Sequence, residues 1–239
     1  YYGARIPGDM DYTLVYRDRG FSGTIYDAGM DRTYSLDILP QEYPVVGTGD
    51  FRSSALVVRG ADGAESCDLR YVKHEITKGK YSLKGLPAVY AAEEEAETLM
   101  ILLEDRVSKV QVQLLYGVLE QEDIITRSAV IVNGGSGQIV VAKAGSACLD
   151  LLYGNYDLVS FYGRHEMERN FQRSAIVHAN QVIGSRRGSS SAQYNPAVII
   201  ADQKATEDTG SCYGMIFAYS GNFMCEAEKS QMDSTRVIM

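Results

Sequence analysis

Apolar and polar residues alternate along the most regular stretch of the chain, residues 109–118. The apolar residues recur at every second position, and the first residues between them are lysine or glutamine. A period of two puts successive side chains on opposite faces of a β-strand, so the stretch predicts a strand with one buried and one solvated face. The buried face would carry Val110, Val112, Leu114, Tyr116 and Val118, and the solvated face Lys109, Gln111 and Gln113.

The same pattern continues beyond this strand. Residues 124–132 alternate in the same way, and a glycine-rich turn at 133–137 leads into an apolar segment at 138–142. Because glycine reaches positive φ without a steric cost, the turn predicts that the two segments pair as a hairpin. A strand that carries Arg186 and Arg187 on opposite faces is also predicted. Further strands are predicted at 67–72, 98–104, 197–201, 213–220 and 222–228.

Strands at this spacing over 239 residues predict an all-β protein built as a large antiparallel sandwich with few short helices. Residues 91–97 are the one ambiguous stretch, because their alanines and glutamates have high helix propensity. We favour a loop that runs into a strand there, since the apolar segment that follows is short and bounded by charge. A short surface helix would leave the class unchanged.

The composition is that of a globular protein that binds no nucleic acid. Apolar residues make up 45% of the chain and charged residues 23%, which allows a core of ordinary size. The formal net charge of -8 opposes binding to a phosphate backbone, which requires a concentrated basic face. No run of 18 apolar residues occurs, so no membrane-spanning segment is expected.

The four cysteines are far apart and form no C-x-x-C pair, so we expect small buried side chains rather than a zinc or redox site. They are Cys67, Cys148, Cys212 and Cys225. The chain begins without methionine and shows no leader sequence or N-glycosylation site, from which we expect a piece of a longer, cytoplasmic protein. A leader that had been removed would leave the same sequence.

The motifs of common enzymes are absent from the sequence. Only three histidines are present, and none lies in the frame of a nucleophilic triad or a zinc helix. The segment GTGDFR at 47–52 begins like a dinucleotide fingerprint but has arginine at the third glycine position. Glycosidases use a pair of carboxyl groups, yet 31 acidic residues give no means of choosing a pair from sequence. No catalytic residue, metal ligand or cofactor is therefore predicted within the chain.

Several segments in a fixed order carry a resemblance to a known family. The chain resembles the N-terminal domain of bacterial α-galactosidases of glycoside hydrolase family 36. The segments are YYGARI at 1–6, LPQEYP at 39–44, GTGDFR at 47–52, DLRYV at 68–72, GLPA at 85–88, DIITRS at 123–128, SACLDL at 146–151, SRRGSSS at 185–191 and YSGNF at 219–223.

The resemblance implies a β-supersandwich of the galactose mutarotase-like type, spanning residues 1–239. In the family this domain precedes a catalytic (β/α)8 barrel and a smaller C-terminal β domain. The family's nucleophile and acid/base are aspartates of the barrel, in Lys-Trp-Asp and Asp-Asp-Gly-Trp motifs, and this chain contains no tryptophan. The resemblance thus implies the non-catalytic domain of a retaining enzyme that releases terminal α-galactosyl groups from sugars such as melibiose and raffinose. The chain alone is expected to be inactive and to self-associate through surface that the barrel would cover.

Several family members are tetramers in which this domain approaches the active-site mouth of a neighbouring subunit. By resemblance, Asp50, Phe51 and Arg52 would then bind substrate across the subunit interface, as hydrogen-bonding groups and an aromatic face. The alternative is an internal pair of Asp50 and Arg52 with Phe51 packed between other side chains.

A second group of candidate residues comprises Arg186, Arg187 and Asn195. The two arginines would form either a buried polar network or an interface with the barrel, and both interpretations predict a nearby carboxylate. The following loop often reads SSHQHNP in the family, but here residues 190–196 read SSAQYNP. Both histidines are replaced, so a polar role of the loop would fall to Tyr194 or Asn195.

Two other functions remain open at the level of sequence. A free-standing carbohydrate-binding module would require an exposed aromatic platform with polar neighbours, and 17 tyrosines make this feasible. The lack of tryptophan argues against such a module. A purely structural interaction domain is the other possibility.

Overall fold

The computed structural model of the protein describes residue 36 and residues 38–239. The segment at 1–6 that contributes to the family resemblance lies outside the described residues. In the described ranges, two single-turn 3-10 helices span Glu93–Glu95 and Glu120–Glu122. The strands, numbered along the chain, are β1 (Leu56–Arg59), β2 (Leu69–Lys78), β3 (Glu97–Asp105), β4 (Val110–Leu119), β5 (Ile124–Asn133), β6 (Val140–Ala144), β7 (Cys148–Leu151), β8 (Tyr156–Arg164), β9 (Met167–Ala175), β10 (Gln181–Ser185), β11 (Tyr194–Asp202), β12 (Cys212–Ile216), β13 (Phe223–Lys229) and β14 (Thr235–Ile238).

The strands form three four-stranded sheets and one two-stranded ribbon. The front sheet is the meander β2-β3-β4-β5, the middle sheet has the order β10-β13-β14-β7, and the back sheet has the order β12-β11-β8-β9. The ribbon pairs β1 with β6. Neighbouring strands are antiparallel in every sheet. The predicted all-β antiparallel class is therefore confirmed.

The alternation in the sequence fixes which face of the front sheet is buried. On β4, Val110, Val112 and Leu114 are almost fully buried, whereas Gln111 and Gln113 on the other face are only partly covered. In the strand register, Leu114 and Val112 lie opposite Ala129 and Ile131 of β5, so the odd-numbered residues of β5 pack against this cluster. The predicted strands at 109–118 and 124–132 are confirmed, but Val118, which was expected on the buried face, is 38% exposed.

The middle sheet is covered on both faces at β14. Ile238 packs with β1 and the front sheet, whereas its neighbour Val237 packs with Leu158, Val198 and Ile200 of the back sheet. All four residues of β14 are buried. A strand with both faces covered should be apolar throughout, so the arginine at its second position is unusual.

The predicted hairpin around the turn at 133–137 is wrong. The segment after the turn becomes β6, which pairs with β1 instead of β5. The turn hydrogen-bonds elsewhere: the Gly134 N–H donates to the Lys109 carbonyl at 3.1 Å, beside the connection between β3 and β4. The glycines therefore let the chain leave the front sheet, and β1 provides the partner that β6 requires.

The strand predicted to carry Arg186 and Arg187 is also wrong, because β10 ends one residue earlier, at Ser185. The Ser185 hydroxyl donates to the Ser189 carbonyl at 2.6 Å, and Gly188 has a φ of +81°. This local turn competes with the extended conformation, so both arginines lie in a loop.

Residues 91–97 behave nearly as predicted: one 3-10 turn precedes β3, and no longer helix forms. Within the described part of the chain, no helix has the length and apolar character needed to cross a membrane.

Candidate functional site

A turn that contains Gly47 and Gly49 precedes residues 50–52, in the segment that leads to β1. Gly47 and Gly49 have φ values of +100° and +90°, in the region that glycine enters most easily. A β-carbon on Gly47 would lie 2.4 Å from the Ser66 hydroxyl oxygen, so the turn also requires a residue without a side chain. The two glycines therefore bend the chain directly before Asp50, Phe51 and Arg52.

Four charged side chains meet below this turn, and we call them the charge cluster: Asp50, Arg52, Asp150 and Arg236. Their side chains are only 1–5% exposed. Arg236 donates from Nε and Nη2 to the two carboxylate oxygens of Asp150, at 2.7 Å each. Its Nη2 also lies 2.8 Å from the Asp50 carboxylate. Asp50 therefore connects the turn to the middle sheet.

Arg52 closes the charge cluster from the side of the turn. It donates to the Asp50 carboxylate from Nε and Nη2, both at 2.9 Å, and its Nη2 also donates to the carbonyls of Leu36 and Leu39. Its Nη1 lies 3.6 Å from the Asp150 carboxylate. Two arginines and two aspartates thus balance in charge, which is the condition under which buried ions are tolerated.

The strands of the middle sheet explain why the charge cluster forms at this position. Asp150 of β7 and Arg236 of β14 are direct partners in the strand register, and Glu228 of β13 is the partner of Arg236 on the other side. The Glu228 carboxylate accepts hydrogen bonds from the Ser53 N–H at 2.8 Å and the Ser53 hydroxyl at 3.1 Å. The end of the turn is therefore bound to three neighbouring strands.

The charge cluster changes the ionisation of the groups around it. Burial lowers the pKa of Arg236, but the hydrogen bond and the charge of Asp150, together with the charge of Asp50, raise it above its ordinary value overall. Burial, with the neighbouring Asp150 charge, raises the pKa of the Cys148 thiol. Arg236 is therefore permanently charged, and Cys148 is a neutral, unreactive thiol.

Phe51 faces solvent, unlike Asp50 and Arg52 on either side of it. Its side chain is 66% exposed, although its two neighbours in sequence are buried. It borders a pocket of about 220 Å³ between the turn and the ends of β9 and β13. The pocket is lined by Phe51, Arg52, His178, Ala179, Asn180, Glu228, Lys229, Ser230 and Gln231. An exposed aromatic face beside amide, imidazole and charged groups is an arrangement that can contact a sugar.

The structure divides the first predicted group of site residues. Asp50 and Arg52 form the internal pair that the sequence left as an alternative, and Phe51 lies on the surface instead of being packed. The carboxylates of Asp50 and Asp150 both accept arginine donors and are only 2% exposed, so neither can reach a substrate as a general acid or a nucleophile. The charge cluster is suited to holding the turn in place.

The second predicted group is divided between the loop after β10, which holds the two arginines, and the start of β11, which holds Asn195. Arg186 and Arg187 are exposed, and the Arg187 Nε donates to the Gln193 side-chain oxygen at 3.1 Å. Neither arginine pairs with a carboxylate among the described residues, so the predicted nearby acid is not found in that part of the chain. Asn195 is partly buried, and its Nδ2 atom has no hydrogen-bond partner there. No hydrogen bond or ion pair between described residues joins this group to the charge cluster.

The sequence did not identify Asp150 or Arg236 as site residues. Asp150 lies in a segment that contributes to the family resemblance, but its partner is 86 residues away. The available signal was a charged residue inside a short apolar strand at the end of the chain, residues 235–238. Within the part of the chain that the structure covers, no three His, Cys, Asp or Glu side chains are grouped to hold a metal ion.

Comparison with known proteins assigns a family to this arrangement. The family model described as the glycosyl hydrolase family 36 N-terminal domain matches residues 1–239. The chain is 58% identical over 239 residues to the bifunctional alpha-galactosidase/sucrose kinase AgaSK of Mediterraneibacter gnavus. This alignment covers the whole chain and 26% of AgaSK. The chain is also 37% identical over 243 residues to alpha-galactosidase 1 of Pediococcus pentosaceus. This second alignment covers the whole chain and 33% of that enzyme. The chain thus spans about a quarter to a third of the length of these curated relatives.

Solved structures agree with the sequence matches. The galactosidase domain of AgaSK superposes with a TM-score of 0.94, at 58% identity, over the whole chain and 33% of that structure. The alpha-galactosidase AgaA of Geobacillus stearothermophilus superposes with a TM-score of 0.93, at 39% identity, over the whole chain and 33% of that structure. Variants of AgaA have been solved in complex with raffinose and with stachyose.

Proposed function

Because the chain belongs to the N-terminal domain family of glycosyl hydrolase family 36, we propose that it is the non-catalytic N-terminal domain of a longer bacterial α-galactosidase. The observation that carries the proposal is the alignment of the whole chain with enzymes of which it covers a third or less. The remaining two thirds of the parent polypeptide would contain the catalytic (β/α)8 barrel and a C-terminal β domain. In this arrangement the chain supports the barrel and shapes the entrance for substrate.

The reaction of the parent protein is the hydrolysis of terminal α-galactosyl groups with retention of configuration. Retention requires a carboxylate nucleophile and a second carboxyl group as acid and base. The two aspartates of the charge cluster do not meet this requirement, because arginines occupy both. The catalytic aspartates are therefore assigned to the barrel, outside these 239 residues.

The substrates are oligosaccharides of the melibiose and raffinose type, by analogy with the AgaA complexes. The test is incubation of the parent polypeptide with raffinose, followed by NMR of the products. We expect galactose and sucrose, and the galactose released first should be the α anomer. Failure to cleave raffinose and melibiose, or first release of the β anomer, would contradict the proposal.

Phe51 is the residue of this domain that contacts substrate, across a subunit interface of a tetramer. Its exposure and its position on the rim of the 220 Å³ pocket support this role. Asp50 and Arg52 act behind it: their side chains are 2% and 5% exposed, so they hold the turn instead of reaching for sugar hydroxyls. The substrate-binding role of the trio is thus concentrated in the aromatic ring.

The protein works in the cytoplasm. Cys67, Cys148 and Cys225 are buried as free thiols, and Cys212 is exposed as a free thiol. A reducing compartment keeps such thiols from being oxidised, which supports this location. Thiol labelling of the protein in intact cells, with and without a membrane-permeant reagent, would test it: labelling of Cys212 by an impermeant reagent would contradict a cytoplasmic location.

A free-standing sugar-binding module is the second candidate, and the exposed Phe51 beside a polar pocket is the observation that favours it. Calorimetric titration of the 239-residue chain with galactose and with raffinose separates the two functions. A module binds one of these sugars by itself, whereas a supporting domain gives no heat of binding without the rest of the enzyme.

A further inference from the structure

The loop after β10 and the β8–β9 hairpin enclose a second pocket, of about 420 Å³. Two arginines, Arg164 of β8 and Arg187 of the loop, lie in its wall, and His165 lies beside Arg164. Arg186 precedes Arg187 in the same loop and is exposed. The pocket is therefore a basic site on a chain whose net charge is -8.

The cations of this basic pocket have little acid to pair with. Arg164 contacts the Met167 sulfur at 3.0 Å, and Arg187 contacts the neutral side chain of Gln193. Glu168, an acid of the hairpin, accepts a hydrogen bond from the Glu166 N–H at 2.9 Å and lies 4.0 Å from His165. Among the described residues, neither pocket arginine forms an ion pair.

Two buried polar atoms in or near the pocket wall also lack a hydrogen-bond partner among the described residues. The Ser191 hydroxyl oxygen belongs to a residue that lines the pocket, and it has no hydrogen-bond partner in the described part of the chain. The Nδ2 atom of Asn195, at the start of β11, also has no hydrogen-bond partner among the described residues. Buried polar groups are normally paired, so the Ser191 hydroxyl is available to a group that enters the pocket.

We propose that the basic pocket receives an aspartate or glutamate side chain from the catalytic part of the parent polypeptide, outside residues 1–239. The inference rests on the proposed function, because that part of the chain is required. Guanidinium groups bind carboxylates in a bidentate geometry that few other pairs match, and the Ser191 hydroxyl can donate to the same carboxylate. A volume of about 420 Å³ admits a whole side chain, since a water molecule occupies only about 30 Å³.

The relatives supply the reason for choosing this occupant. Two thirds or more of each lies outside the region that matches this chain, so a large body must pack against the domain. A free phosphate, or a carboxylate of a second copy of the chain, could also bring negative charge to the basic pocket. The experiment distinguishes both from a carboxylate of the same polypeptide.

The experiment replaces Arg187 by lysine in the full-length parent polypeptide. The Arg187→Lys variant keeps the positive charge and supplies a primary amine, which a carbodiimide joins to a carboxylate in direct contact. Digestion and mass spectrometry then locate the linked carboxyl group. We expect a link from position 187 to an aspartate or glutamate outside residues 1–239 of the same polypeptide. A mixture of unlabelled and 15N-labelled protein distinguishes links within one polypeptide from links between two copies.

The Arg169→Lys variant is the control, because Arg169 is also exposed on the β8–β9 hairpin but does not line the pocket. It should give no link beyond residue 239. If Arg187→Lys fails to fold, Arg164→Lys probes the same pocket from the other wall. A link to a second copy, a link only within residues 1–239, or no link at all overturns the inference.

Raffinose hydrolysis by the same variant keeps the two proposals apart. An active Arg187→Lys enzyme without the expected link leaves the proposed function standing and removes the docked carboxylate. A linked protein that cleaves no α-galactoside would support the docking site and contradict the proposed reaction.

Discussion

Arg236 occupies a position where a strand covered on both faces would ordinarily carry an apolar side chain. Its charge is tolerated because Asp50 and Asp150 both contact it and Arg52 balances the second aspartate. An internal pair of Asp50 and Arg52 was one of two alternatives at the level of sequence. The sequence did not predict the contact between Asp150 and Arg236, because the register that joins β7 to β14 depends on tertiary packing.

Replacing Arg236 by methionine should strongly destabilise the protein. The variant leaves two buried carboxylates with one arginine between them, and breaking a buried pair of this kind costs about 3–5 kcal/mol. The measurement is the free energy of unfolding in urea, followed by tyrosine fluorescence, since the chain contains no tryptophan. Arg59→Met is the matched control: Arg59 pairs with Glu65 on the surface, so its loss should cost about 0–1 kcal/mol. Equal losses in the two variants would show that the charge cluster adds no stability of its own.

Replacing Phe51 by alanine should impair the parent enzyme without unfolding it. The ring is mostly exposed, so stability should change little. An aromatic contact of about 0.5–1.5 kcal/mol corresponds to a loss of about 2- to 10-fold in kcat/KM for raffinose. Tyr90→Ala removes another exposed ring, away from the turn, and should leave kcat/KM unchanged. An unaltered kcat/KM for Phe51→Ala would remove this residue from the substrate entrance.

At the scale of elements, hydrophobic alternation was sufficient to predict where strands lie and insufficient to predict which strands pair. The alternation of β4 and β5 is local, and both strands were predicted from it. The pairing of β6 with β1 joins segments more than 80 residues apart, and a glycine turn that resembled a hairpin gave the wrong partner. The turn that presents Phe51 is likewise defined by contacts with a distant residue, Ser66.

Replacing Gly47 by alanine should distort this turn. The residue has a φ of +100°, and the added methyl group would lie 2.4 Å from the Ser66 hydroxyl oxygen. Gly63→Ala is the control, because Gly63 has a φ of +83° but has open space around it, so only the cost of about 1–2 kcal/mol for positive φ applies. We expect a larger loss of Tm for Gly47→Ala than for Gly63→Ala in calorimetry. The opposite order would indicate that the turn adapts to a side chain.

At the scale of the whole molecule, the described residues cover the outer face of the back sheet only in part: Val159 and Ala201 are buried beside Ala205, whereas Phe171 is 62% exposed. Phe161 and Phe171 form an edge-to-face pair there, and Ile216 of the edge strand β12 is 79% exposed. The family resemblance predicted surface of this kind, because the rest of the parent polypeptide must cover part of the domain. No pattern within the sequence distinguished these residues from core residues, since both alternate in the same way.

The isolated 239-residue chain should therefore self-associate at high concentration. Light scattering after gel filtration should give a mass above 26.3 kDa, the mass of one chain, that rises with concentration. The double variant Phe171→Ser and Ile216→Ser should shift the mass towards that of the monomer. Val107→Ser is the control, because Val107 is 93% exposed in the turn after β3 and should not contribute. A monodisperse monomer at all concentrations would contradict a large exposed apolar face.

The central claim is that this domain supports an α-galactosidase whose chemistry lies in another part of the polypeptide. The most direct test is the release of nitrophenol from a nitrophenyl α-galactoside by the 239-residue chain and by the parent polypeptide, at equal molar concentrations. We expect turnover by the parent polypeptide and none above the blank by the chain alone. Turnover by the purified chain, or its absence in the parent polypeptide, would contradict the central claim.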